Sequence, residues 1–286
     1  MTLSPATRCA IVTHASVEAN LLQIAQLREL PDRLSPAVGV VSDDVPPLGP
    51  QLPKRFLRHC DEHTVVAMAA VLAAMHTLPE SLSDMSRWGV LAAPCLAGRL
   101  LSARTLAQLP KTGAAGVSPH LIPQCSLHAM ASAVSVGLGM HGPNMGVGGG
   151  PEAVAEGFVT ALSMLGEPDV PGLWLVLTQW DDEPIPDGAG GATNGPLCRS
   201  VAMALVATTS VSSDGPTTLG LTLTLPVEGG PSLLRPSGNP LHIKLKHLAT
   251  SLDAIVHQRR TTATHSVNSY TRWSHDCDWG ARLEVA

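Results

Sequence analysis

A chain of 286 residues with 44% hydrophobic side chains can bury an extensive core, in one large domain or two small ones. Its net charge of −5, with only 18 scattered basic residues, excludes the concentrated positive surface that a nucleic-acid backbone requires. No apolar run approaches the roughly 18 residues of a membrane span, and the N-terminus, MTLSPATRCAIVTHAS, lacks a basic region ahead of a long apolar one, so a cytoplasmic protein is expected. Aromatic residues are scarce (2 Phe, 1 Tyr, 5 Trp), so the interior must be built from small aliphatic side chains in tightly layered helices and sheets. Six cysteines (Cys9, Cys60, Cys95, Cys125, Cys198, Cys277) are dispersed without C-x-x-C spacing and are expected to be buried free thiols.

In chain order, a β-rich start at Cys9 to Ala15 precedes a Pro-rich stretch, Val45 to Pro53. A helix opening near Asp61 continues through Val65 to Met75 (VVAMAAVLAAM). Having no polar stripe, it must be buried on all sides. Trp88 to Cys95 reads as a buried strand, and Pro123 to Met140 as one mostly apolar helix ending in Gly-rich sequence. A strand-like run starts at Asn144, a helix spans Pro151 to Leu165, and Leu173 to Gln179 (LWLVLTQ) has the continuous apolar character of a central strand. Glu183 to Pro196 is a loop by composition. Ser200 to Thr209 and Thr217 to Leu225 are predicted to pair as antiparallel strands. After the connection Pro226 to Pro240 come an amphipathic helix, His242 to His257, and a short tail with Trp273 and Trp279. The alternation of strands and helices predicts a layered α/β architecture.

Two adjoining segments, Val117 to Met140 (VSPHLIPQCSLHAMASAVSVGLGM) and Gly142 to Ala153 (GPNMGVGGGPEA), resemble the β-ketoacyl synthase family, which has a thiolase-type fold. The resemblance extends to Leu52 to Met75, to Trp180 to Pro184 (WDDEP) and to Ser200 to Val206, so it spans roughly residues 8–226. It implies a thiolase-like layered α/β fold: the N-terminal half of a ketosynthase, residues 1–226, with a truncated and remodelled C-terminal part, residues 227–286, packed on the same domain. Counting from Gly142-Pro143-Asn144, the family's nucleophilic cysteine would fall at Pro151, after Gly148, Gly149 and Gly150. Condensation in this family needs a thiolate activated at a helix N-terminus and two histidines from Gly-rich loops of a second α/β half. Pro151 supplies no thiolate, and residues 227–286 contain no His-Gly-Thr-Gly-Thr or Gly-His loop. Gly150, Pro151 and Glu152 read instead as a stable helix start.

By the same resemblance the chain is expected to be a chain-length-factor-type pseudoenzyme without intrinsic condensing activity and without a cofactor. It would pair with an active β-ketoacyl synthase in fatty acid or polyketide biosynthesis, as in type II and aryl-polyene systems, on acyl chains held by acyl carrier protein. Gln124, Leu127, His128 and Met130 would then wall the acyl tunnel, with Met130→Trp as the bulk-adding test. Asn144, Met145, Val147 and Gly149 would form the interface strand.

Rival motifs point to a self-contained enzyme. His59, Glu62 and His63 match H-x-x-E-H, which on a helix could hold zinc; the bland alternative is the solvated opening turn of the buried helix. Cys125 and His128, three apart, could form a nucleophile and base of an acyltransferase, or simply pack. Gly137 to Gly142 matches G-x-G-x-x-G but follows a helix instead of a strand, so a helix C-terminus and turn is expected. His275-Asp276-Cys277-Asp278 could bind metal, although an exposed polar tail explains it as simply. A homodimeric acyl-binding module is a third reading, with an isologous interface.

Overall fold

The structure is a computed structural model and describes residues 7–29, 52–53, 55–167, 169–189, 191–208, 218–225, 242–262, 272–277 and 280–286. Most of the Pro-rich stretch at 45–53, the connection at 226–240, Asp278 and Trp279 lie outside them.

The framework is one mixed sheet of eight strands in the order β3-β2-β4-β5-β1-β6-β8-β7. Its parallel part joins β2 (Gly89–Pro94) to β3 (Asn144–Gly146) and β4 (Leu173–Trp180). Every residue of β2 and β4 is buried, because helices cover both faces there. β5 (Leu197–Ala207) runs antiparallel to β4 and to the long first strand, β1 (Thr7–Asn20).

The strand expected to pair with β5, β6 (Leu219–Thr224), instead lies on the other side of β1, antiparallel to it. The alternation of β6 was legible as a strand, but nothing local reveals that the N-terminal strand inserts between the two. β7 (Trp273–Asp276) and β8 (Arg282–Val285) form a hairpin that extends the sheet beyond β6, so the His275-Asp276 segment is an edge strand and not a polar tail. Cys277, at its end, is buried.

On one face lie α1 (Leu21–Glu29), α2 (Glu62–Met75) and α5 (His128–Leu138). α2 packs down on β1 and β5 and sideways on α1 and α5, which is why a helix without a polar stripe is buried throughout. Each fully buried Val or Leu of such a helix contributes about 1.5–3 kcal/mol of transfer free energy. The other face carries α6 (Ala153–Met164) and α7 (Leu245–Thr262), packed on Leu173, Leu175, Leu177, Met203 and Leu205. α7 begins at Leu245, three residues later than its sequence pattern suggests, where Gln179 Oε1 accepts a hydrogen bond from the Leu245 amide at 3.0 Å. The thin aromatic supply is spent in the two cores: Trp88 against Trp174 on the first face, Phe158 against Trp273 on the second.

The helix expected over Pro123 to Met140 is two helices, α4 (Leu121–Gln124) and α5, broken at Cys125 to Leu127. With α3 (Arg99–Thr112), α4 forms an arm in which only Leu100 is fully buried. The G-x-G-x-x-G run is the end of α5, with Gly139 as a left-handed C-cap at φ 65°.

Candidate functional site

The three parallel strands end together, and the chain beyond each converges on one place. From β3 it continues through Val147, whose amide donates to the Ala92 carbonyl at 2.9 Å, and Gly149, whose amide donates to the Pro94 carbonyl at 3.1 Å. Cys95, at the end of β2, bridges to Gly149, and its amide donates to the Thr178 carbonyl of β4 at 2.8 Å. Gly148 and Gly149 take φ of 81° and 92°, a backbone that side chains resist, and this bend turns the chain into α6. α6 begins after Glu152, so Pro151 stands one residue ahead of the helix cap and not at its first helical position. Pro151 is exposed.

Leu127 closes this turn from above. A β-carbon on Gly146 would lie 2.1 Å from the Leu127 carbonyl oxygen, and one on Gly149 would lie 2.8 Å from the Leu127 side chain. The two segments that carried the family resemblance therefore touch, through the break between α4 and α5. Of the other expected wall residues, Gln124 is half-buried, His128 is exposed, and Met130 is sealed in the core beneath α2. Asn144 and Met145 stand on β3, the outermost strand, paired only with β2; Met145 is 43% exposed. The Asn144 Oδ1 is buried and finds no hydrogen-bond partner among the described residues.

The electrostatics here run against a thiolate. Burial raises the Cys95 thiol above its ordinary value, and Glu183 and Glu152 push the same way against Gln179 and Arg99. Burial likewise raises Glu183, which Arg99 partly offsets at 3.3 Å. Glu152 pairs with the His242 ring. Cys9 is pushed up to about 12 and Cys60 to about 11, both mainly by burial; Cys125 and Cys198 are raised for the same first reason. An activated cysteine needs the opposite surroundings.

The rival centres come apart. His59 precedes α2, is exposed, and stacks on His120 with ring centres 6.0 Å apart. Glu62 and His63 belong to α2 and are buried, so this opening turn is not solvated as expected. Asp61 caps α2 by accepting the Thr64 amide at 2.9 Å. Glu62 Oε1 accepts from Arg28 and from Arg104, each at 2.9 Å. His63 Nδ1 hydrogen-bonds Thr178 Oγ1 at 2.8 Å, while its Nε2 has no partner among the described residues. The three side chains face different partners, and no group of three or more His, Cys, Asp or Glu among the described residues could hold a metal. Cys125 contacts Ser102 Oγ at 3.7 Å and the Gly98 carbonyl at 3.8 Å, and it lies in the break ahead of the helix that carries His128.

The Arg28–Glu62–Arg104 cluster was not foreseen. Its signal was present: a glutamate opening a helix that is otherwise buried must find a cation. Which arginines answer it could not be read, because they lie 34 and 42 residues away.

No protein-family model and no curated protein matches the sequence. Solved structures do share the fold. The ishigamide ketosynthase/chain length factor aligns over 98% of this chain and 98% of its own, with a TM-score of 0.56 at 12% identity. The ketosynthase ApeO in complex with its chain length factor ApeC, from Xenorhabdus doucetiae, aligns over 97% and 98%, with a TM-score of 0.53 at 12% identity. AntDE:AntF, a type II polyketide acyl-carrier protein with its ketosynthase, aligns over 76% and 68%, with a TM-score of 0.52 at 12% identity. The chain has the ketosynthase-like, thiolase-type layered α/β fold, and it is about as long as the aligned chains of the first two structures. No helix among the described residues is long and apolar enough to cross a membrane.

Proposed function

We propose that this ketosynthase-like fold serves as a non-catalytic, chain-length-factor-type subunit, pairing with an active β-ketoacyl synthase in fatty acid or polyketide biosynthesis. The observation that carries the reading is Pro151, which by the resemblance falls at the family's nucleophile position and stands exposed just ahead of α6, two residues beyond Gly149, which bridges Cys95, a thiol that burial raises with Glu183 and Glu152. The solved ketosynthase and chain-length-factor complexes of the same fold support it.

In this role the work is steric. Leu127, seated on Gly146 and Gly149, walls the acyl tunnel together with Gln124 and His128, and the partner supplies the cysteine. Met130 belongs to the core beneath that wall, so Leu127→Trp is a better bulk-adding test than Met130→Trp. Asn144, Met145, Val147 and Gly149 form the interface strand. Acyl carrier protein delivers the chain, residues 227–286 extend the ketosynthase-like unit of residues 1–226, and the assembly works in the cytoplasm.

The test is co-purification of the tagged chain with each ketosynthase of its source genome, co-expressed in turn, followed by condensation assays with and without the chain. A stable complex whose activity requires this chain, and shorter products with Leu127→Trp, are expected. Ketosynthases of which none binds the chain or changes its product in the chain's presence would remove the proposal.

A further inference from the structure

At the end of the sheet farthest from β3, one face is polar and open. β6 (LGLTLT) sends Leu219, Leu221 and Leu223 into the core and Gly220, Thr222 and Thr224 the other way. β8 does the same with Leu283 and Val285 against Arg282 and Glu284. The helices on the polar side, α1, α2 and α5, lie over the other strands, and Gly220, Thr224, Ser274 and Arg282 are exposed.

The strand register decides which side chains meet on this face. Arg8 of β1 stands opposite Thr222, Thr222 opposite Glu284, and Glu284 opposite Ser274, in one row across four strands. In the next row Gly220 and Ala286 exchange backbone hydrogen bonds at 2.8 and 3.0 Å. They form the floor of a cavity of about 230 Å³, walled by Arg8, Thr222, Glu284 and, from just ahead of β7, Arg272. A β-carbon added to Gly220 would meet only the Ala286 carbonyl oxygen, at 3.7 Å, so the missing side chain is what leaves the space.

The charges around the cavity are unevenly matched. Arg282 is held by Asp276 at 2.6 and 3.2 Å and also feels the Glu284 carboxylate. Arg8 and Arg272 have no hydrogen-bond or ion-pair partner among the described residues, although both border the same cavity. Their backbones stand three strand spacings apart, about 14 Å, so both side chains can reach one oxyanion held over Gly220.

We propose that this cavity binds a small phosphate monoester: Arg8 and Arg272 take the phosphate from opposite sides, Thr222 donates its hydroxyl to it, and Glu284 accepts a hydroxyl of the ligand. Guanidinium forks match phosphate oxygens with charge-assisted hydrogen bonds, and a threonine hydroxyl adds a neutral donor. Glu284 repels a second phosphoryl group and welcomes a hydroxyl, so a polyol monophosphate fits and a diphosphate does not. The volume is below the roughly 300–1,000 Å³ of sites that enclose drug-sized ligands, which sets a ligand of a few carbons. The site lies across the sheet from the β3 end and stands independently of the subunit role proposed above.

The experiment titrates the full chain, as wild type, Arg8→Gln, Arg272→Gln and Gly220→Val, with glycerol phosphate by calorimetry at neutral pH and low salt. Inorganic phosphate, pyrophosphate and succinate are titrated beside it. Arg260→Gln, exposed on α7 on the opposite face of the sheet, controls for a general loss of charge. Wild type is expected to bind one glycerol phosphate per chain, more tightly than the other three probes. Each of Arg8→Gln and Arg272→Gln should raise Kd about tenfold or more, the equivalent of one hydrogen bond to a charged group. Gly220→Val keeps every charge, suits a strand and fills the floor, so it should raise Kd as much. Arg260→Gln should match wild type. A wild type that does not bind, a Gly220→Val that binds as wild type does, or an Arg260→Gln as damaging as Arg8→Gln would each overturn the site. Succinate binding more tightly than glycerol phosphate would overturn the phosphate, and pyrophosphate binding more tightly would overturn the role of Glu284.

Discussion

Replacing Glu62 by Gln keeps the side chain's shape and removes the charge that two arginines share. Glu62 is 2% exposed, and Arg28 and Arg104 each donate to its Oε1 at 2.9 Å. Leaving a charge without its partner in a fully buried site costs about 3–5 kcal/mol. Here the two guanidiniums are 18% and 25% exposed, so water compensates part of that, and about 2–3 kcal/mol is expected. This is a large share of a typical folding stability of about 5–15 kcal/mol. Urea unfolding followed by tryptophan fluorescence should show the midpoint falling by about 0.7–3 M, given slopes of about 1–3 kcal/mol/M. Arg104→Met should cost less than Glu62→Gln, because the carboxylate keeps Arg28. A loss below about 0.5 kcal/mol for Glu62→Gln, or an equal loss for Arg104→Met, would refute the view that this cluster ties α1 and α3 to the end of α2.

Burial lowers the His63 pKa from its ordinary value of 6.5, with Asp61 and Glu62 opposing, so its neutral form contributes stability that is present above 6.5 and lost as pH falls through the lowered value. Unfolding free energy should decline from pH 7.5 downward and His63→Asn should flatten that decline; an unchanged slope would refute it. Burial works to raise Glu62, but Arg28 and Arg104 outweigh it and hold the carboxyl below its ordinary 4.5, so its contribution is present above 4.5 and lost at lower pH. Pro151→Cys should introduce one thiol that iodoacetamide labels faster at neutral pH than Cys9, Cys60, Cys95, Cys125 and Cys198, since it stands exposed ahead of a helix. It should restore no condensation. Phe158→Ala, at a fully buried site between α6 and β7, should cost about 3–5 kcal/mol by the same urea assay.

The candidate site was legible in part. The turn at Gly148 to Pro151 was legible as the approach to a helix, and the structure places it between β3 and α6, with Gly148 and Gly149 at positive φ; that a nucleophile would stand there was implied only by the family resemblance. The seating of Leu127 on Gly146 and Gly149 was not legible, since it depends on α5 beginning only at His128. H-x-x-E-H did not become a metal site because the pattern presumes a helix through all five residues and Asp61 caps the helix inside it, while the solvated turn expected there is buried at Glu62 and His63.

What the sequence by itself determined were properties set by neighbours along the chain. The all-apolar run at 65–75 required burial, and LWLVLTQ required the middle of a sheet. Only the tertiary structure decided which strand stands beside which, because β1 divides β5 from β6 across some 190 residues of chain through backbone hydrogen bonds that carry no side-chain signature. It alone also decided which arginines neutralise Glu62 and where the hydrophobic surface is left uncovered, since burial is a property of the packed whole and not of any segment.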